Sequence, residues 1–159
     1  MKTILLILSF FLLQCVAFAQ SSFKQNDIYI ELGGNSFFAG VNYERQLTHK
    51  PGLGVRFGLG VYGEKAFYLT IPVGINYLFP LKNDRSLIEA GLGVTWARVD
   101  GRIFSKEDNI TSDHFTSFVP SIGYRRHTRR NVMWRISAAP VINKDGLFPW
   151  LGISLGKRF

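Results

Sequence analysis

From Asp27 to Phe159 the chain keeps one rhythm: apolar side chains return at every second residue, and no stretch sustains helical spacing. The alternating runs lie at about 27–33, 36–47, 52–63, 66–79, 86–99, 114–126, 132–142 and 148–159, eight in all. Turn-forming clusters separate them, among them THKP, GEK, PLKNDR, HTRRN and NKDG. An all-β fold of eight antiparallel strands in simple succession is therefore expected.

The alternation sorts the residues into two faces. One carries Ile28, Ile30, Leu32, Phe37, Val41, Phe57, Leu59, Val73, Ile75, Leu92, Val94, Trp96, Phe118, Ile122, Ile136, Leu151, Ile153 and Leu155. The other carries Glu31, Asn42, Glu44, Arg56, Thr70, Asn76, Glu89, Thr95, Arg125, Arg135, Ser137 and Arg158, set among glycines. A soluble eight-stranded barrel has interior room for its own side chains or one small ligand. Bulky residues from all eight strands would overfill it, and the outer wall would be mostly glycine. Charged residues make up 19% of the chain, below the roughly 25% of ordinary soluble domains. With the bulky face turned to lipid and the glycine-rich polar face turned inward, both difficulties disappear.

Hydrocarbon leaves an unpaired strand edge unsatisfied, so such strands cross a membrane only as a closed barrel. Runs of about ten residues suit a tilted crossing. The expected architecture is an eight-stranded antiparallel up-and-down transmembrane β-barrel. With both termini in the periplasm, the turns at about 48–51, 80–85 and 127–131 are periplasmic and short. The connections at about 34–36, 63–65, 100–113 and 143–147 then face outward, and the longest of them, DGRIFSKEDNITSD, falls on that side. Tyr43, Tyr77, Phe79, Tyr124, Trp134 and Phe159 form one aromatic girdle; Phe37, Phe67, Trp96, Phe118 and Trp150 form the other. Pro72, Pro120 and Pro140 fall inside strands and cannot donate to the ladder, so bulges or missing bonds are expected there.

The first residues set the compartment. Lys2, the apolar run Ile4–Leu13 and the small residues of Ala17-Phe18-Ala19 have the three-part layout of a secretory signal cleaved after Ala19. The apolar run is too short for a spanning helix, which needs roughly 20 residues. Gln14 before the single Cys15 is wrong for lipoprotein processing. Residues 1–19 are thus expected to be a signal peptide and 20–159 one barrel domain, without cysteine and without a disulfide framework. The formal charge of +8 becomes +7 once Lys2 leaves with the signal. An exported chain of that charge points to outer-membrane lipid and lipopolysaccharide as partners, and away from nucleic acid.

The whole mature chain resembles the small eight-stranded outer-membrane barrels of Gram-negative bacteria, the OmpX and OmpA-transmembrane-domain type. The resemblance rests on the signal, the eight alternating strands and the ending LGISLGKRF. It implies that Leu151, Ile153, Leu155 and Phe159 form the signal read by the barrel-assembly machinery during insertion. Lys157 departs from that pattern, standing where an aromatic or apolar residue is usual, although a lysine near the interface can snorkel.

The inward charges are the chemically informative set. Glu31, Glu44, Arg56, Glu89, Arg125, Arg135 and Arg158 are expected to form a compensated lumen network, with Glu44 paired to Arg56 across the second hairpin. A polar plug is the favoured reading over an ion path. No metal-ligand spacing and no cofactor motif in its required context is present. The G-x-G-x-x-G match at 58–63 lacks the following helix that a dinucleotide site needs. Ser112, Asp113 and His114 are adjacent and keep a lipid A-modifying enzyme open as an alternative, though adjacency alone makes no triad. YRRHTRRN at 124–131 places four arginines at a periplasmic turn, suited to anchoring at anionic headgroups. Asn109-Ile110-Thr111 matches a glycosylation sequon by chance. The expected protein is a non-enzymatic outer-membrane barrel with a filled lumen, serving envelope integrity or surface interaction through loop 100–113. A narrow pore for small solutes or ions is the first alternative.

Overall fold

The computed structural model describes residues 23–63, 67–82, 85–99, 114–144 and 146–159. The expected signal peptide, the 100–113 loop, the sequon, Ser112 and Asp113 lie outside the described residues, as do the side chains of Phe67 and His114. Ten strand segments form one antiparallel sheet: β1 (Asn26–Gly33), β2 (Ala39–Gln46), β3 (Leu53–Gly63), β4 (Phe67–Pro80), β5 (Ser86–Val99), β6 (His114–His127), β7 (Val132–Ala138), β8 (Val141–Asn143), β9 (Gly146–Phe148) and β10 (Leu151–Arg158). From β1 to β7 neighbours in sequence pair, β10 pairs β7 and β8 pairs β6 and β9, and β1 closes the sheet on β10 from Asp27↔Arg158 to Gly33↔Gly152. Asn26 and Phe159 exchange backbone hydrogen bonds of 3.1 and 2.8 Å at the seam. The result is a closed barrel of eight staves, the seventh being β7 with β8 and the eighth β9 with β10. No helix among the described residues is long and apolar enough to cross a membrane.

The two interrupted staves trace to proline. Extending the register of Ile122↔Ala138 and Phe118↔Ile142 sets Pro120 beside Pro140. Extending that of Leu151↔Ala138 and Val141↔Phe148 sets Pro149 on Pro140's other side. Three residues without an amide hydrogen thus stand abreast, and the ladder lapses there without any change of register. The β3–β4 ladder lapses likewise opposite Ile71-Pro72, between Phe57↔Val73 and Gly60↔Thr70. The missing bonds expected at Pro72, Pro120 and Pro140 are where the sequence placed them.

The faces are as the alternation required. Ile30, Leu59, Ile122, Leu151 and Leu155 are each about three-fifths exposed or more, with relative areas of 59, 60, 61, 71 and 61%. Glu31, Asn42, Glu44, Arg56, Glu89, Arg125 and Arg135 are all buried. A soluble protein shows no such inversion, because contiguous apolar surface on this scale seeks a partner or a membrane.

One part of the wall differs from expectation. Residues 34–36 are not an outward connection: Gly34, Asn35 and Ser36 form a buried 3-10 turn folded into the barrel, and β2 starts only at Ala39. Gly33 and Gly34 make this possible, with φ of +74° and +59°. A Cβ on Gly33 would stand 2.1 Å from the Leu151 carbonyl oxygen, and one on Gly34 2.4 Å from the Glu31 carboxylate. The inserted turn breaks the period, so Phe37, expected to face lipid, lies inside instead at 6% exposure. It packs there with Val119, Ala139 and Val141 against Tyr62 and Phe115.

The orientation of the faces predicts a depth-dependent response to charge. Leu92, outward at the middle of β5, replaced by arginine is expected to cost about 2–4 kcal/mol in lipid, and Phe79→Arg near the strand end about 0–1 kcal/mol. Denaturant unfolding from phospholipid vesicles measures both. Equal costs at the two depths would contradict the lipid-facing assignment.

Candidate functional site

The candidate site is the lumen, and Arg125 organises it. Its guanidinium meets Glu44 in a two-pronged pair, with Nη1 and Nη2 each 2.6 Å from a carboxylate oxygen. Arg125 Nε donates to Glu89 Oε2 at 2.9 Å, and Nη1 stands 3.5 Å from Asp27 Oδ2. One side chain from β6 therefore reaches carboxylates on β1, β2 and β5. Arg135 makes the second centre: Nη1 donates to Glu89 Oε1 at 2.8 Å, and Nη2 donates to Glu31 Oε1 and, at 3.0 Å, to Ser154 Oγ. Its guanidinium also lies 4.9 Å over the Tyr29 ring. Arg56 is held more loosely, with Nη1 3.5 Å from Glu89 and Nη2 donating to Ser121 Oγ at 3.3 Å.

Neutral side chains serve further lone pairs of Glu44 and Glu31, as buried carboxylates demand. Gln46 and Asn76 each donate to Glu44 Oε1 at 3.0 Å. Ser36 donates to Glu31 Oε2 from its hydroxyl at 3.1 Å, tying the inserted turn to the network. That turn is fixed further by Thr95, which donates to the Asn35 carbonyl at 2.8 Å, and by Thr70, which donates to the Ser36 carbonyl at 3.3 Å. Trp150 Nε1 donates to the Phe37 carbonyl at 3.1 Å. Charge network, inserted turn and aromatic cluster succeed one another along the lumen.

Six of the seven sequence-selected lumen residues meet in this network. Glu44 and Arg56 are register partners as anticipated, yet each finds its ion pair elsewhere. Cross-lumen reach explains this: Arg125 offers Glu44 both oxygens at 2.6 Å, a geometry Arg56 on the adjacent strand does not supply. Arg158 lies at the terminal end, beside Asp27 in register and with its guanidinium 4.9 Å from the Phe23 ring centroid. Arg125, counted at first among four arginines of a turn, is inside the barrel, whereas Arg126, Arg129 and Arg130 are exposed. Asp27, Tyr29, Gln46 and His127 were not selected, although each occupies an inward position of the period. His127 ends β6 rather than opening the turn, and its Nε2 lies 3.4 Å from Asp27 Oδ1. Leu151, Ile153, Leu155 and Phe159 all face outward.

No three His, Cys, Asp or Glu side chains among the described residues are grouped to hold a metal. The 58–63 glycine pattern lies wholly within β3, between β2 and β4, and is strand where a dinucleotide site needs a loop leading into a helix. What the lumen can do is fill the barrel and brace opposite walls.

Known structures share this fold. The N-terminal β-barrel domain of Pseudomonas aeruginosa OprF superposes with a TM-score of 0.65 at 15% identity, over 86% of this chain and 99% of that one. The Yersinia pestis outer membrane protein Ail, determined in a phospholipid bilayer nanodisc, gives 0.56 at 14% identity, with 86% and 99% covered. Its crystal structure gives 0.52 at 13% identity over the same shares. The chain has the fold of the small eight-stranded outer-membrane barrels. No family model matches it, and no curated protein matches its sequence.

Removing one member of a buried ion pair leaves its partner charged and uncompensated, at about 3–5 kcal/mol. Arg125→Ala is expected to lose that much stability in vesicle-based unfolding, and Arg56→Ala clearly less, because its contacts are longer and one is to a neutral serine. Equal losses from the two variants would show that Arg125 is no hub.

Proposed function

We propose that the chain is an integral outer-membrane barrel whose lumen is closed by its own side chains, serving as a structural element of the envelope and a platform for surface contact. One observation carries this reading: Arg125 and Arg135, both essentially inaccessible to solvent, join carboxylates of β1, β2 and β5 across the barrel axis. An ion path would need water or mobile charge along that axis, whereas here the axis is crossed by short, mutually compensating pairs. The inserted turn and the Phe37 cluster close a second level above them.

The outer-membrane location is supported by the apolar exterior, the signal-like leader and the fold shared with Ail and OprF. The termini lie on the periplasmic side in this reading, which leaves loop 100–113 and the β8–β9 hairpin outside. Leu147 and Phe148, exposed at 64 and 48% on that hairpin, suit contact with a second surface. Lipopolysaccharide is the lipid met there, and the barrel-assembly machinery reads the Phe159 end during insertion.

Conductance in planar bilayers tests the closed lumen: a flat baseline is expected, and reproducible unitary steps would overturn it in favour of the narrow pore. The non-enzymatic reading has its own measurement. Mass spectra of lipid A from cells with and without the protein are expected to coincide, and a shifted acyl or phosphate pattern would establish the lipid A-modifying alternative.

A further inference from the structure

We infer that the barrel's terminal end is a docking rim for the phosphates of anionic phospholipid in the leaflet facing that end. The inference rests on the membrane insertion proposed above. All three turns at this end present exposed cations: Lys50 in the first, Lys82 in the second, and Arg129 and Arg130 in the third, with Arg126 just before it on β6. The carboxylates tell the other half. Among the described residues, every acidic side chain, namely Asp27, Glu31, Glu44 and Glu89, is buried in the lumen. The described rim therefore carries exposed cations with no exposed side-chain carboxylate among them, and Asp84 of the second turn, outside the described residues, is one acid against five named cations.

The depth of the rim identifies its partner. Directly beside it stand outward aromatic pairs: Tyr77 on Phe79 with ring centroids 4.6 Å apart, Tyr43 on Phe57 at 5.4 Å, and Tyr124 on Trp134 at 5.4 Å. Tyr and Trp settle at the boundary between hydrocarbon and headgroup. Arg126 lies two residues beyond Tyr124 and Lys82 three beyond Phe79, with Lys50, Arg129 and Arg130 in the turns past the girdle. Cations so placed stand near the height of the lipid phosphates, where a Debye length of about 8 Å leaves them effective. A basic residue near an anionic leaflet is worth about a five-fold preference. Several on one rim select phosphatidylglycerol-type lipid over zwitterionic lipid by far more than any one of them.

The test uses the full mature chain folded in non-ionic detergent and titrated with phosphatidylglycerol, phosphatidylcholine or lipopolysaccharide, with retained lipids counted by native mass spectrometry. Wild type is expected to retain phosphatidylglycerol at least ten-fold over phosphatidylcholine, and 0.5 M salt is expected to erase most of the difference (about a 4 Å Debye length). The triple variant Arg126→Gln, Arg129→Gln, Arg130→Gln is expected to fall at least ten-fold in phosphatidylglycerol retention. Arg98→Gln, on β5 at the opposite end, is expected to change nothing. Equal retention of the two phospholipids, an unaltered triple variant, or an equal loss from Arg98→Gln would overturn the proposal. Lipopolysaccharide retained in preference to phosphatidylglycerol and lost in the triple variant would overturn it too, placing the rim against the other leaflet. A rim that binds peptidoglycan fragments while ignoring phosphatidylglycerol would do the same. Circular dichroism after insertion into phosphatidylcholine vesicles reports separately on the membrane reading, which survives any of these failures.

Discussion

Arg125 is the side chain on which the interior depends. A guanidinium placed in a dry lumen is unfavourable unless its donors are met and its charge is balanced. Its carboxylate neighbours come from β1, β2 and β5, so balance is reached only when distant staves have already closed into a barrel. The network is thus a reporter of closure as much as a contributor to stability: a slipped register at the β1–β10 seam would carry Asp27 and Glu31 away from their arginines. Period-two strands slip readily when only their faces are specified, and a set of complementary charges at fixed heights removes that freedom.

The wall and its two faces were legible because they follow from a local rule. Side-chain direction alternates in every strand, so Ile30 and Glu31, or Phe57 and Arg56, declare their sides without reference to anything distant. What lies across the lumen obeys no such rule. Glu44 and Arg56 are neighbours in register, and a hairpin argument pairs them, yet barrel tilt and long side chains put Arg125 closer to Glu44 than Arg56 is. The inserted turn was hidden for a different reason. Gly33-Gly34 reads as an ordinary turn signal, and only the positive φ at both residues directs the chain inward and takes Phe37 with it. His127 was missed at a boundary: placing the end of β6 one residue early turned an inward position into a loop.

The prolines show how much imperfection the wall accepts. Pro120, Pro140 and Pro149 stand side by side, and the strands that flank them resume the same register beyond the gap. Backbone groups left without ladder partners are expensive in hydrocarbon. Here two features limit the cost. Ala139 keeps one bond, donating its amide hydrogen to the Trp150 carbonyl at 2.8 Å. Behind the gap the lumen lining is apolar, made by Val119, Ala139, Val141 and Phe37. The inserted turn thus does more than occupy volume, since it supplies the apolar backing for the weakest part of the ladder.

The location of charge follows from the same interior. Three buried arginines, Arg56, Arg125 and Arg135, face four buried carboxylates, Asp27, Glu31, Glu44 and Glu89, with His127 beside Asp27. The lumen is close to neutral by itself, as a low-dielectric compartment must be. It achieves this by taking in all the described acidic side chains, four of the chain's eleven, while the described turns at the terminal end carry exposed cations. Among the described residues, those basic turns are the complement of an interior that holds the acids. A substitution that removes a carboxylate from the interior would disturb both compartments at once, leaving an arginine unpaired inside and the whole barrel more cationic.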